Sequence, residues 1–554
     1  MDGKQEEAYM NRKFGQQVKQ TIAGVLVATL ASTLLVGCTK EEGNPVVKLE
    51  DNYKVYYEIF PYSFYDTNAD GIGDLQGITE KLDYVNDGKD HTTDDLGCEG
   101  IWLMPIMPST TYHKYDVVDY YNIDPEYGTL EDFKELEAAC ETRGIALMID
   151  LVFNHTSSQH AWFQQAVAYL EALPEGEEPQ VEACPYVAYY HFVKGKPTSG
   201  VYYQAGQSQY YYEAMFWQEM PDLNLDNPAV RGEIEAIAKF WMELGVDGFR
   251  LDAAKEFYSG NVSKNTEVLQ WFTKYVQSIE ADTYVVAEVW DSSAVIADMY
   301  ASGIPSLFQF PLAKHDGLLS KTVNKHIPTN AAKNFGKALV KYQETYGAKN
   351  PEYIDAPFLA NHDMARAAGS YVSDLNKMKM AAGMLLTLQG SPFLYYGEEI
   401  GMKSKGQKDE SKRAPFRWST TDNTGMTDGP LGMEVAEQKF PALEEQLEDE
   451  NSLYRYYTRA IRMRQENPEL ARGTITLEED LSGDEICVLT KTYEDSEILV
   501  VYNISDQANT VELASALGEK EVYSSVTAEV TEVVTLEGTS LQMPAYSIAI
   551  LRKQ

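Results

Sequence analysis

From about residue 54 to residue 399 the chain alternates eight short apolar runs with amphipathic stretches, and this alternation leaves few folds open. The runs are "KVYYEIF" (54–60), "GIWLMPI" (100–106), "IALMIDLV" (145–152), "VDGFRLDA" (246–253), "TYVVAEVW" (283–290), "LFQFPLA" (307–313), "PFLANHD" (357–363) and "SPFLYYGEE" (391–399). Each is short and rich in β-branched or aromatic residues, so each is expected to be a strand. Between them lie helical patterns, for example Val230, Ile234, Ile237, Trp241 and Leu244, which share one helix face. Eight strands alternating with helices predict an α/β chain folded as a (β/α)8 TIM barrel. Functional residues then belong at the C-terminal ends of the strands.

Spacing locates what is not barrel. Asp252 and Glu288 are 36 residues apart, about one βα unit, whereas Asp150 and Asp252 are 102 apart. The excess falls in residues 156–224, an aromatic and helix-poor insertion after the third strand. The barrel is therefore expected over 53–155 and 225–468, with a long loop at 400–447 and a last helix near 450–466. Beyond it, "EICVLTKTY", "EILVVYNI" and "SIAILRK" predict a C-terminal β-sandwich over 469–554.

The N-terminus carries an address. Arg12, Lys13 and Lys19 precede "TIAGVLVATLASTLLVG" (21–37), which is uncharged and short for a membrane span. It ends in "LVGC", which resembles a bacterial lipobox. That resemblance implies a leader over 1–37, lipidation of Cys38, and a tether over 38–52. The protein would then be exported and anchored by lipid to the bacterial cell membrane, facing outside. Cys98, Cys140, Cys184 and Cys487 remain and show no CxxC or Cys/His metal spacing, so buried free thiols are expected. With 46 Lys+Arg against 85 Asp+Glu, the net charge of −39 argues against nucleic acid as a partner and is compatible with neutral substrates, bound cations and a monomer. Some of the 38 tyrosines, as in "YVAYY" and "YYYEAMFW", would suit stacking of sugars.

Within "GVDGFRLDAAK" (245–255) an apolar strand presents Arg250 and Asp252. Burying such charges is unfavourable unless they are paired or functional. Glu288 and Asp363 end two further strands, so barrel geometry brings three carboxyls to one mouth, beside His155, Arg250 and His362. Acetal cleavage needs such a cluster: one carboxylate at the anomeric carbon, and one protonated carboxyl for the leaving oxygen. Arg250 would hold Asp252 ionised, and the apolar neighbours of Glu288 would raise its pKa.

At these residues the sequence resembles the α-amylase family, glycoside hydrolase family 13. "DLVFNH" (150–155), "GFRLDAAK" (248–255), "EVW" (288–290) and "LANHD" (359–363) look like its four principal motifs in order; "MPDLN" (220–224) and "GSPFLYYGEEIGM" (390–402) look like auxiliary ones. The resemblance implies Asp252 as nucleophile, Glu288 as acid/base and Asp363 as transition-state stabiliser. It implies sugar contacts from Tyr115, Asp116, His155, Arg250 and His362, with Lys255 a further substrate-binding candidate, and an α-glucan or maltooligosaccharide as substrate. The insertion would be the family's domain B and the tail its domain C.

"DTNADGIGD" (66–74) places Asp66, Asn68, Asp70 and Asp74 at spacings that suit a calcium ion, with the carbonyl of Ile72. Its twelfth position is Gly77 rather than Glu, so it is no EF-hand; it resembles a calcium loop of some α-amylase relatives. Glu256 stands where a second family calcium site has His. For linkage, Ala253 after the nucleophile leans toward α-1,4 bonds, since α-1,6 hydrolases of the family tend to carry Val there. Endo-acting α-1,4 hydrolysis is the expected activity. A neopullulanase, an oligosaccharide α-glucosidase and a non-catalytic glucan-binding lipoprotein remain as alternatives.

Overall fold

The computed structural model describes residues 51–89, 94–513, 523–528 and 534–553. The leader and Cys38 lie outside the described residues. In chain order the strands up to residue 400 are β1 (Tyr56–Ile59), β2 (Gly100–Leu103), β3 (Ala146–Leu151), β4 (Phe192–Lys194), β5 (Tyr202–Gln204), β6 (Tyr210–Glu213), β7 (Gly248–Leu251), β8 (Tyr284–Ala287), β9 (Ser306–Leu307) and β10 (Phe393–Tyr395).

Seven of these form one parallel sheet in the order β10-β1-β2-β3-β7-β8-β9. Two parallel bridges close it into a ring, Phe308 to Ala356 and Phe358 to Phe393, so "PFLANHD" fills the seventh place without a continuous ladder. The strands are buried on both faces, as a parallel sheet sheathed in helices requires. Helix Pro228–Glu243 shows why the chain folds this way. Asn227 caps it, Pro228 opens it, and Val230, Ile234, Ile237 and Trp241 are buried along one stripe.

The segment between β3 and helix Pro228–Glu243 holds the antiparallel sheet β4-β6-β5. It also holds a helix, Ala161–Ala172, capped by His160, so it is less helix-poor than its sequence suggested. Phe163, Ala166 and Leu170 of that helix pack inward at helical spacing. The loop at 400–447 contains two short helices, Asp409–Lys412 and Leu443–Leu447, and the next helix is Leu453–Glu466.

Beyond it are β11 (Thr474–Leu477), β12 (Ile486–Tyr493), β13 (Ser496–Asn503), β14 (Asn509–Glu512), β15 (Tyr523–Ala528), β16 (Thr535–Glu537), β17 (Ser540–Met543) and β18 (Ser547–Lys553). They make a five-stranded sheet, β11-β12-β13-β18-β15, and a three-stranded sheet, β14-β17-β16. Period-two alternation assigns the faces. Leu499, Val501, Ala549 and Leu551 pack with Val511, Leu541 and Met543 of the smaller sheet, whereas Val500, Tyr502, Ile548 and Ile550 join the core of the barrel. Helix Ala331–Gly347 lies so close to this sheet that a Cβ on Gly336 would come within 2.6 Å of a Leu477 methyl and 2.9 Å of the Cys487 sulfur. All four cysteines among the described residues are buried free thiols.

Candidate active site

Asp150 and Arg250 are register partners on β3 and β7, and Asp252 and Glu288 follow β7 and β8 directly. These positions bring three carboxyls onto one guanidinium. Arg250 is fully buried. Its Nη1 donates to both oxygens of Asp150 (3.0 Å each) and to Asp252 (2.6 Å), and its Nη2 donates to Glu288 (2.8 Å). Sequence spacing links Arg250 with Asp252 alone; in the structure it is a hub shared by three carboxyls. Trp102 and Tyr115 lie against its faces, with ring centroids 5.2 and 5.8 Å away. A fixed fork of N–H donors is what lets one residue orient several carboxyls.

Glu288 also accepts the Ala253 N–H (3.1 Å), and Ala253 holds a left-handed backbone, φ 50°. Burial, together with nearby Asp252 and Asp363, pushes the Glu288 carboxyl up to about 7 against the pull of Arg250. That is the range a proton donor needs at neutral pH. Burial raises Asp150 to about 7 as well, again opposed by Arg250.

Asp363 faces them from the loop after the seventh strand. It accepts from Arg413 (2.8 Å) and lies 3.1 Å from His362 Nε2. Burial opposes its charge, but His362 and Arg413 outweigh burial and hold the carboxyl well below the usual range. His362 is buried too. Its Nδ1 meets Glu58 on β1 at 2.5 Å and its Nε2 meets the Tyr115 hydroxyl at 2.7 Å. Asp363 and Glu58 lift its pKa to about 9 in spite of burial. Tyr115 stacks on His362 and donates to Asp150 (3.0 Å). The mouth therefore sets Asp363, held toward its ionised form, beside Glu288, held toward its protonated form.

Of the residues expected at a sugar, Tyr115, His155, Asp252, Lys255, Glu288 and Asp363 line one open cleft of about 700 Å³. The His155 Nε2–H donates to the Tyr115 carbonyl at 3.3 Å, and Lys255 is tied to Asp291 and the Trp290 carbonyl. Arg250 and His362 act on the cleft from beneath. Asp116 does not reach it. It is fully buried and accepts from the hydroxyls of Ser109, Thr110 (2.5 Å), Thr111 (2.5 Å) and Ser157 (3.2 Å); against burial, the first three lower its pKa. A carboxylate enclosed by four hydroxyls is a loop brace, and the expected sugar contact is corrected accordingly.

Residues outside the expected site complete it. Glu58 sat in plain view as the one acid of an apolar strand. Arg413, which also takes the Tyr112 hydroxyl (3.0 Å), comes from the loop after β10, where no periodicity could flag it. Lys114 has φ 64° and is buried on Asp124 (3.0 Å) and Glu126, so it braces the same rim from a glycine-like backbone position.

The 66–74 loop leaves β1 and enters helix Leu75–Glu80. Asp66 accepts the N–H groups of Asn68, Ala69 and Gly71, Asn68 accepts that of Asp70, and Asp70 accepts that of Ile72. Both oxygens of Asp74 are engaged, one capping the helix at Gly77 (2.7 Å) and the other on Thr67 (2.9 and 2.8 Å). Asp74 is thus a helix cap, and like Asp66 it has both oxygens engaged within the loop. Among the described residues no three His, Cys, Asp or Glu side chains converge as a metal cluster. The oxygens of Asp66, Asn68, Asp70, Asp74 and the Ile72 carbonyl are hard donors of the chemistry a calcium ion takes.

Comparison with known proteins agrees with this geometry. The family model "Alpha amylase, catalytic domain" matches residues 58–473, and "Alpha-amylase SusG C-terminal domain" matches 486–550. Alpha-amylase 3 of Dictyoglomus thermophilum is 39% identical, covering 84% of this chain and 88% of its own. The oligo-1,6-glucosidase of Parageobacillus thermoglucosidasius is 30% identical over 82% and 90%. The solved structure of Eubacterium rectale Amy13B superposes with a TM-score of 0.88 at 43% identity, covering 93% of this chain and 98% of that one. A barrel with three carboxyls gathered at its mouth, matched by that model over most of its length, places the chain in the α-amylase family of glycoside hydrolases.

Proposed function

We propose that the protein is a retaining, endo-acting hydrolase of α-1,4 bonds in starch-like glucans. The observation that carries this reading is the single guanidinium of Arg250 binding Asp252 through one nitrogen and Glu288 through the other. Asp252 attacks the anomeric carbon while Glu288 gives its proton to the departing oxygen. A glycosyl ester on Asp252 results, and the shorter glucan leaves with a free hydroxyl. Glu288, now ionised, takes a proton from water. That water opens the ester, returns Asp252 and restores the α-configuration. Asp363, His362 and Arg413 hold the sugar as positive charge develops on its ring. Retaining chemistry requires the two carboxyls about 5–5.5 Å apart. The test is NMR of the first-formed reducing sugar: the α-anomer is expected, and a β-anomer would overturn the mechanism.

The linkage rests on Ala253 and on the α-amylase relative. The oligo-1,6-glucosidase relative favours a second reading, cleavage of α-1,6 bonds in short oligosaccharides. Product analysis on amylose, pullulan and maltotriose separates the two. Isomaltose or panose cut as fast as maltotetraose would decide for the second. A neopullulanase would release panose from pullulan.

The same reading includes a calcium ion on Asp66, Asn68, Asp70, Asp74 and the Ile72 carbonyl, which would rigidify the loop leading out of β1. It also includes export as a monomer tethered through lipidated Cys38, suiting attack on polymers too large to enter a cell.

A further inference from the structure

Residues 213–222 form a hairpin that leaves β6 and returns to β3's side of the cleft. Its base is closed by the Asp222 N–H donating to the Glu213 carbonyl (3.0 Å) and its tip by the Met220 N–H donating to the Trp217 carbonyl (2.8 Å). Asp222 accepts the Met215 N–H (2.9 Å), the Tyr212 hydroxyl donates to the Gln218 carbonyl (2.6 Å), and the Ser158 N–H donates to the Glu219 carbonyl (2.8 Å). With its polar groups held in this way, the hairpin turns apolar side chains to solvent. Met215 is 40% exposed, Phe216 50% and Trp217 43%, and beside them Val201 is 37% exposed. The Val201 carbonyl accepts the Ala214 N–H (3.0 Å), which joins it to the row across the small sheet.

Four large apolar side chains fixed in a row against water are unfavourable unless something covers them. The bracing means that they are presented and not frayed. The row begins inside the cleft, where the Phe216 ring lies 5.5 Å from that of His155 and where Phe216 and Trp217 share the lining with Trp290. It continues outward to Met215 and Val201, which are not part of that lining. The cleft lining is itself charged, with Asp363, Asp409 and Arg413 and also Lys255 and Glu256, whereas Val201 and Met215 beyond it are apolar.

We propose that Val201 and Met215 form an outer sugar track, on which a long α-glucan lays the apolar faces of the rings beyond those held in the cleft. The occupant follows from continuity with the cleft and from charge. A row without Lys or Arg, on a protein of net charge −39, suits a neutral polymer whose pyranose rings expose C–H faces. The proposal rests on the α-glucan reading above. It makes the row the feature that separates polymers from short oligosaccharides.

The test is the double variant Val201→Ser/Met215→Ser, assayed on amylose and on maltotriose beside the wild type. We expect KM for amylose to rise about fivefold, with kcat, the maltotriose parameters and the melting midpoint unchanged. Amylose kinetics equal to wild type would overturn the track, as would an equal loss on both substrates. A change in sedimentation with unaltered amylose kinetics would assign the row to a second copy of the chain and overturn it too. A wild-type protein inactive on both substrates would instead remove the α-glucan reading, and the track with it.

Discussion

Arg250 concentrates the chemistry of the site in one side chain, and its neighbours define the sharpest tests. Asp252→Asn keeps the shape and one acceptor for Arg250 but removes the charge that forms the glycosyl ester. Turnover is expected to fall by at least about 10³-fold, mostly in kcat, as measured on amylose. Glu288→Gln should spare the first step for an aryl glycoside with a good leaving group while abolishing starch cleavage, because only the poor leaving group needs the proton. The wild-type pH profile carries the same assignment. Glu288 must be protonated to act, so kcat should hold below about 7 and fall as pH rises through that value. A profile flat to pH 9 would count against Glu288 as the acid. Much of this was legible in sequence, because charges inside apolar strands have few bland explanations; Arg250, Asp252 and Glu288 all announced themselves so. Glu58 gave the same signal in "KVYYEIF". Asp116 misled, because a motif position does not reveal four hydroxyls folding around it.

At the scale of elements, the loop out of β1 separates two contributions that sequence had merged. Asp74 caps helix Leu75–Glu80, so Asp74→Ala should lower stability by about 1 kcal/mol even with calcium chelated. Asp66→Ala and Asp70→Ala should instead abolish the calcium-dependent part of the melting midpoint, read with and without chelator. No shift with chelator in the wild type, and no calcium in a metal analysis, would remove the ion from the loop. Strand positions were legible because short apolar runs between turn residues have one simple fate. The seventh strand was less so: Ala356 and Phe358 make single bridges, and hydrophobicity cannot distinguish a bridge from a ladder. Helix Ala161–Ala172 was masked by its neighbours, since "WFQQAVAYL" sits in an aromatic segment whose overall composition favours strands and loops.

For the whole molecule, Cys38→Ser should release the protein from membranes, as measured by fractionation and by mass spectrometry of the extracted N-terminus. A variant still acylated and membrane-bound would refute the lipid anchor. The order of strands around the barrel has a different consequence, for biogenesis. β1 is the first of the described strands to be made, yet one of its two partners is β10, residues 393–395, and Asp363 waits for Arg413 from later still. A chain emerging from its N-terminus therefore holds an open, hydrophobic sheet edge through most of its synthesis, and such edges recruit other chains. Contacts this distant in sequence also slow closure once the chain is complete. The enzyme gains its catalytic constellation all at once and late, so no partly made fragment ending before residue 413 carries a complete site.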